Sequence, residues 1–277
     1  MKLIELRKVT FAYKGAEKPA IIDIDLEIDA GETLCIMGPS GSGKSTLCYC
    51  LAGLVPKLIE GELKGEILLK GEDILEVKSR SGFIEVGLIL QDPESQIVAL
   101  TVERELAFGL ENLGVPKEVI KKKVLEISKA LGIEGIIHRS TCELSGGELQ
   151  RVAIASIVVL EPKILILDEP TSSLDYSGVQ ALRSTLKNLK ERGFTIIIAE
   201  HDIEDLLDII DRIVILKDGR KIAEGPPLTT LSLKEVKEAG IEIPIIIDFY
   251  DAIKKGDLTS EIPIDFQKLV KMMGEDE

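Results

Sequence analysis

Apolar and polar positions along the chain follow three successive rhythms. Ile21-Ile-Asp-Ile-Asp-Leu-Glu-Ile28 alternates at period two, as does much of Glu66 to Leu69. Residues 1 to about 90 are therefore expected to be rich in strands with one buried face. From Pro116 the spacing changes: Ile120, Val124, Ile127 and Leu131 recur every three or four positions, which predicts a helix with Lys121 to Lys123 on its solvated face. Residues 95 to 160 read as mostly helical. Beyond them come continuous apolar runs, Ile164-Leu-Ile-Leu167, Thr195-Ile-Ile-Ile-Ala199 and Arg212-Ile-Val-Ile-Leu216. Such runs suit strands buried on both faces of a sheet. One predicted helix between them carries Val179, Leu182, Leu186 and Leu189 on one side, and another is expected from Ile203. Gly225-Pro-Pro227 closes this unit, and the remaining stretch to Glu277 holds short amphipathic segments such as Phe266, Leu269, Val270 and Met273.

Strands and helices alternating in this way predict an α/β class. The expected organisation is a core over residues 1–226, interrupted by a helical subdomain at about 92–160 and followed by a small C-terminal domain over 227–277. With 277 residues there is ample chain to bury such a core. No window approaches the ~18–20 apolar residues that cross a bilayer, and Met1-Lys-Leu-Ile-Glu5 is not a signal peptide. The expectation is a soluble, cytoplasmic protein that would reach a membrane only through partners. A formal net charge of −14 argues against a nucleic-acid footprint and against adsorption to anionic lipid. The four cysteines, Cys35, Cys48, Cys50 and Cys142, show no paired metal-ligand spacing, and Cys48 and Cys50 read as small buried residues.

Candidate chemistry begins at Gly38-Pro-Ser-Gly-Ser-Gly-Lys-Ser-Thr46. This fits the phosphate-binding pattern G-x-x-x-x-G-K-[ST], and it lies between the apolar strand Thr33–Met37 and a helix. Gly38, Gly41 and Gly43 let backbone N–H groups close around phosphate oxygens, with Pro39, Ser40 and Ser42 between them. Lys44 reaches the terminal phosphates, Ser45 can hold Mg²⁺, and Thr46 opens the helix whose dipole favours an anion. Downstream, Leu144-Ser-Gly-Gly-Glu148 reads as a capping box, Ser145 at N-cap and Glu148 at N3. Gly146 and Gly147 weaken a first helical turn. They make sense if a phosphate approaches the bare helix start.

Three further apolar strands end in polar groups. Ile164-Leu-Ile-Leu-Asp-Glu169 places Asp168 for Mg²⁺, directly or through water, and Glu169 as a general base for the attacking water. Thr195-Ile-Ile-Ile-Ala-Glu200 leads into His201, a candidate γ-phosphate contact. Val86-Gly-Leu-Ile-Leu90 leads into Gln91, whose amide could bond to Mg²⁺-bound or attacking water. Tyr13 is the candidate to stack on adenine, Phe11 being assigned to the core.

In order and spacing these segments resemble the ATPase subunit of an ABC transporter. Tyr13 falls at the A-loop, Gly38 to Ser45 at Walker A, Gln91 at the Q-loop, Leu144 to Glu148 at the signature, Ile164 to Glu169 at Walker B, Ser172 to Asp175 at the D-loop and His201 at the switch. The resemblance implies a mixed sheet flanked by helices. It also implies a head-to-tail dimer sandwiching two Mg²⁺-bound ATP molecules, each held between one subunit's Walker A and the other's signature and D-loop residues, including Asp175. Glu148 stands where Gln is commoner, and Ser173 where Ala is.

A narrower resemblance lies in Gln91–Ala99 and Thr101–Asn112. It is similar to the ATPase subunits of energy-coupling-factor importers for cobalt, nickel or vitamins, as are Gly240–Pro244 and Leu258-Thr259 in the tail. This implies a second ATPase, identical or paralogous, a transmembrane coupling subunit and a substrate-binding membrane subunit, with the ATPases peripheral on the inner face of the membrane. Soluble ABC ATPases that remodel macromolecules carry coiled-coil or zinc insertions, or tandem cassettes, and no sign of these occurs here. A small-molecule P-loop kinase would need neither Leu144 to Glu148 nor His201.

Overall fold

The computed structural model describes residues 2–80 and 85–247. The chain runs through β1 (Lys2–Tyr13), β2 (Ile21–Asp29), β3 (Thr33–Met37), α1 (Lys44–Leu51), β4 (Gly61–Leu69), β5 (Glu72–Asp73), α2 (Ile74–Arg80) and β6 (Val86–Ile89). It continues through α3 (Val102–Asn112), α4 (Lys117–Ala130), α5 (Gly146–Val158), β7 (Ile164–Asp168), α6 (Tyr176–Glu191), β8 (Thr195–Glu200), β9 (Arg212–Lys217), β10 (Arg220–Gly225), α7 (Pro227–Leu231) and α8 (Lys234–Lys237).

Two sheets form. The smaller is antiparallel, ordered β2-β1-β4-β5, and the larger is ordered β10-β9-β3-β8-β7-β6, with β10 antiparallel and the rest parallel. The α/β reading and its mixed sheet therefore hold. Alternation in β2 buries Ile24, Leu26 and Ile28 and exposes Asp23, Asp25 and Glu27. Asp23 has φ 49, and the pairing with β1 slips nearby, so the strand's first residues are out of phase with the rest.

The continuous apolar strands of the larger sheet are buried on both faces. Met37, Leu165, Leu167, Ile196, Ile198 and Ile213 join a cluster that includes Leu106 of α3, Val124 of α4, Val152 of α5 and Leu186 of α6. Leu34, Ile36, Ile166, Ile197 and Val214 point the other way, into a cluster with Leu47 of α1 and Phe11 of β1. Alternate residues of one strand thus serve two cores, which is why no polar position interrupts them. α4 buries Ile120, Val124 and Ile127 as the spacing predicted.

One expectation changes. The segment after Ile203 is a six-residue 3₁₀ helix, Glu204–Ile209, rather than an α-helix. Leu206, Leu207 and Ile209 are all buried there, a density that three residues per turn accommodates in a short connector. Beyond Gly225-Pro-Pro227, Leu231, Val236, Ile246 and Ile247 enter the larger cluster. Phe266, Leu269, Val270, Met273, Leu258 and Thr259 lie outside the described residues. Among the described residues no helix is long and apolar enough to cross a membrane.

Candidate nucleotide site

Parallel pairing brings the carboxyl ends of four strands that are distant in sequence to one edge. Met37 pairs with Glu200, Asp168 with Ala199, and Ile89 with Leu167. Open α/β sheets bind ligands at that edge. The loop from Gly38 to Gly43 leaves β3 there and enters α1.

Backbone geometry explains two of its glycines. Gly43, the N-cap of α1, has φ 103, and a Cβ there would sit 2.6 Å from the Ala20 carbonyl oxygen. Gly41 has φ 76, also in the left-handed region where glycine is favoured. Lys44 is 5% exposed and its Nζ donates to the Gly38 carbonyl at 2.9 Å, so the ammonium is folded back under the loop. Ser42 is buried, and its hydroxyl has no protein partner among the described residues. Pro39 accepts from Ser42 N at 3.1 Å, which closes the turn around Ser40 and Gly41. Tyr13 is half-buried and packs edge-on against Phe11. Its hydroxyl lies 2.9 Å from the Thr46 hydroxyl, so the ring stands beside the start of α1. Phe11 is fully buried, as expected.

Acids and amide converge below the loop. Ser45 Oγ donates to Asp168 Oδ1 at 3.1 Å, Lys44 Nζ lies 3.5 Å from Glu169 Oε1, and Gln91 Nε2 donates to Glu169 Oε2 at 2.8 Å. Burial pushes the Asp168 carboxyl up and the nearby Glu169 adds to this, while Ser45 and Lys44 oppose it. Glu169 has φ 45, a strained conformation for a side chain of this kind and one found preferentially at functional positions.

The Ser45 hydroxyl and the Asp168 carboxylate, in contact at 3.1 Å, offer oxygen donors, and the Gln91 amide oxygen is a further candidate to join them. Such donors suit Mg²⁺, and a cation would offset the burial of Asp168. Among the described residues no group of three or more His, Cys, Asp and Glu side chains is disposed to hold a metal. Mg²⁺ would therefore depend on phosphate and water for its remaining ligands, its usual habit with nucleotides.

His201 follows the last residue of β8, half-exposed, with Nδ1 3.5 Å from Glu200 Oε2. Leu144 to Glu148 lies elsewhere. Ser145 caps α5, its Oγ accepts from Glu148 N, and Glu148 Oε2 accepts from Ser145 N at 2.8 Å, so both arms of the capping box form. Arg139 holds the other Glu148 oxygen at 2.9 Å. Packing supplies a reason for one first-turn glycine besides ligand approach: a Cβ on Gly147 would lie 3.2 Å from the Gly178 Cα. A Cβ on Gly146 would meet only the Ser173 carbonyl oxygen, at 3.5 Å. Asp175 caps α6, accepting from Gly178 N at 2.7 Å. Among the described residues no hydrogen bond or ion pair joins Ser145, Gly146, Gly147, Glu148 or Asp175 to the Gly38–Thr46 loop. Sequence reasoning passed over Glu200 and Arg139. An acid ending an otherwise apolar strand was the available signal for Glu200.

Known proteins share this arrangement. A family model described as ABC transporter matches residues 21–172. A Pyrococcus abyssi protein named as an ABC transporter ATP-binding protein is 39% identical over 98% of this chain and 97% of its own length. A similarly named Methanosarcina acetivorans protein is 38% identical over 98% of this chain, which spans 45% of that relative. The chain thus matches some relatives end to end and about half the length of others. Among solved structures, cbiO1 from Clostridium perfringens, described as part of the ABC transporter complex cbiONQ, has a TM-score of 0.74 at 32% identity, covering 90% of this chain and 99% of cbiO1. An ATP-binding cassette of an ABC transporter in its ADP conformation has a TM-score of 0.72 at 26% identity, covering 86% of this chain and 98% of its own. On motif order, fold and relatedness together, the chain belongs to the ABC transporter family and is one of its ATPase domains.

Proposed function

We propose that this chain is the ATP-hydrolysing subunit of an importer of the energy-coupling-factor type, driving uptake of a transition metal or vitamin through membrane partners. The observation that carries the hydrolytic part is the meeting of Lys44, Gln91 and Glu169 at one strand edge beneath the phosphate loop. Lys44 and the loop amides would bind the β- and γ-phosphates, and Tyr13 would stack on adenine. Ser45, Asp168 and Gln91 would hold Mg²⁺, which neutralises phosphate charge. Glu169 accepts a proton from the attacking water as its oxygen bonds to the γ-phosphorus and the bond to the β–γ bridging oxygen breaks, leaving ADP and phosphate. Gln91 orients Glu169 through its amide, and His201 donates to the γ-phosphate.

Ser145, Glu148 and Asp175 are bonded within their own part of the chain, and among the described residues no hydrogen bond ties them, Gly146 or Gly147 to the loop. That supports their acting on the nucleotide of a second ATPase in a head-to-tail dimer, with residues from 227 onward helping to hold the pair. The importer type is supported by the likeness to cbiO1 and by the Gln91–Asn112 segment. A cleft of about 430 Å³ beside that segment, lined by Glu94, Val98, Leu100, Leu144 and others, could receive helices of a coupling subunit. The protein would then sit peripherally on the inner face of the membrane, with no nucleic-acid role.

Co-expression with a coupling subunit and a substrate-binding membrane protein tests the reading. A complex that hydrolyses Mg-ATP and moves its substrate supports it. ATP hydrolysis by a chain that associates with no such membrane subunit would refute the importer assignment.

A further inference from the structure

Glu200 ends β8 with its side chain fully buried. A buried carboxyl is costly unless protein groups replace its water, and this one is met from two segments. Oε1 accepts from Thr171 N at 2.9 Å and from Thr171 Oγ1 at 2.6 Å. Oε2 lies 3.3 Å from the His201 backbone N and 3.5 Å from its Nδ1. Thr171 belongs to the loop that follows Glu169, where Ser172 N donates to the Glu169 carbonyl at 3.2 Å and Leu174 N to the Thr171 carbonyl at 3.0 Å. That loop ends at Asp175, whose helix meets the first turn of α5 at Gly147 and Gly178. One carboxyl therefore lies between the histidine and the loop that joins Glu169 to α6.

We propose that Glu200 is a positioning residue for ATP hydrolysis: it ties His201 to the Pro170–Asp175 loop, so that both take their places as one unit. The inference rests on the ATPase reading above. Oε2 accepts from the His201 backbone N and faces Nδ1 at 3.5 Å as a charge contact, which fixes the edge of the ring that it meets and leaves Nε2 for a phosphate oxygen. Thr171 holds the opposite oxygen twice, which prevents the carboxyl from rotating away. A glutamine could still accept from Thr171 but would turn an NH₂ donor toward His201. Glu200→Gln thus separates the histidine contact from the loop contact with little change of volume.

The test uses the full chain labelled with ¹⁵N-histidine, together with its Mg-ATP turnover. The sequence has only two histidines, and His138 serves as internal control. Glu200→Gln should shift the His201 ring nitrogens and leave those of His138 in place. It should lower kcat by about 10-fold or more, the scale of a small misplacement of a reacting group, with KM for ATP little changed. In a His201→Ala background the same substitution should cost less than about 2-fold, because a residue acting through another has no effect once that other is gone. Unmoved His201 resonances, or equal losses in both backgrounds, would overturn the proposal. If Glu200→Gln does not fold, Thr171→Val must lower kcat and shift the His201 resonances, and unchanged resonances again refute it. Wild type inert toward Mg-ATP would remove the ATPase reading and this inference with it, whereas normal wild-type turnover with an indifferent Glu200→Gln would remove this inference alone.

Discussion

Gln91 Nε2 donates to Glu169 Oε2 at 2.8 Å, which joins the end of β6 to the end of β7 across the candidate site. The amide nitrogen is thereby committed to the carboxylate, and the amide oxygen is the atom left for a cation or a water. The same carboxylate faces Lys44 Nζ through its other oxygen. Glu169 thus faces Lys44, the proposed phosphate contact, through one oxygen and Gln91, the proposed cation ligand, through the other.

Glu169→Gln should therefore keep ATP binding and lose most turnover, by ~10²–10⁴ as expected for a positioned base. The amide can still bond to Gln91 but cannot take a proton from water. Phosphate release and fluorescent-nucleotide binding, measured side by side, check this, and equal turnover in variant and wild type would take Glu169 out of the mechanism.

Gly43→Ala should damage both fold and site. Its φ of 103 and the 2.6 Å approach of the Ala20 carbonyl leave no room for a Cβ. Backbone strain of this kind costs about 1–3 kcal/mol, which corresponds to a melting-temperature loss on the order of 5 °C in a domain of this size. Differential scanning fluorimetry with and without Mg-ATP should show a lower melting temperature and no nucleotide-induced rise.

The carboxyl of Glu148 is held below the usual glutamate range, first by its bond from Ser145 N and then by the Ser145 hydroxyl and Arg139, against a smaller opposing effect of burial. A depressed folded-state value means that this group's stabilisation is complete above its unfolded value of about 4.3 and fades as pH falls through the folded one. Glu148→Gln keeps an acceptor for the cap and loses the charge. Urea midpoints of wild type and variant should differ most near neutral pH and converge toward pH 3, and a gap independent of pH would show that charge is not what holds the α5 start.

Ser145→Arg should abolish hydrolysis while leaving nucleotide binding at Lys44 intact, since the two residues would serve opposite subunits. Mixed with Lys44→Ala chains, it should regain activity at one composite site if the dimer is of identical chains. Absence of recovery at every ratio would point to an obligate second kind of ATPase or to a need for both sites.

Two acids near the cleft beside Gln91 differ in what they are free to do. Asp92 is already used locally, its Oδ1 accepting from Glu94 N at 3.0 Å, whereas Glu94 lines the cleft. Exposed ion pairs contribute only ~0–1 kcal/mol, but a like charge set into an interface costs several. Glu94→Lys should weaken pull-down of the membrane subunit and spare basal ATPase, and undiminished capture would show that docking does not use this carboxylate.

Much of the fold was legible because its signals are local. The alternation of Leu26 with Asp25 and Glu27 and the stripe Ile120–Val124–Ile127 each report which face of one segment meets water, and the uninterrupted Ile164–Leu167 reports that neither does. The phosphate loop was equally legible, since its glycines, Lys44 and Ser45 are contiguous. The capping box Ser145–Glu148 spans only four residues, and it formed as read.

What the sequence could not express was proximity between distant segments. Ser45 meets Asp168 across 123 positions and Gln91 meets Glu169 across 78, and both contacts exist because parallel pairing aligns strand ends. Gly147 had a packing partner in Gly178 that no local pattern reveals, and Glu200 looked like one more polar residue at a strand end until Thr171 closed over it. Periodicity determined which elements form and which faces they bury, because burial is decided residue by residue along each segment. Register and crossover order alone decided which polar ends share a site, because a strand's own residues say nothing about which strand will lie beside it.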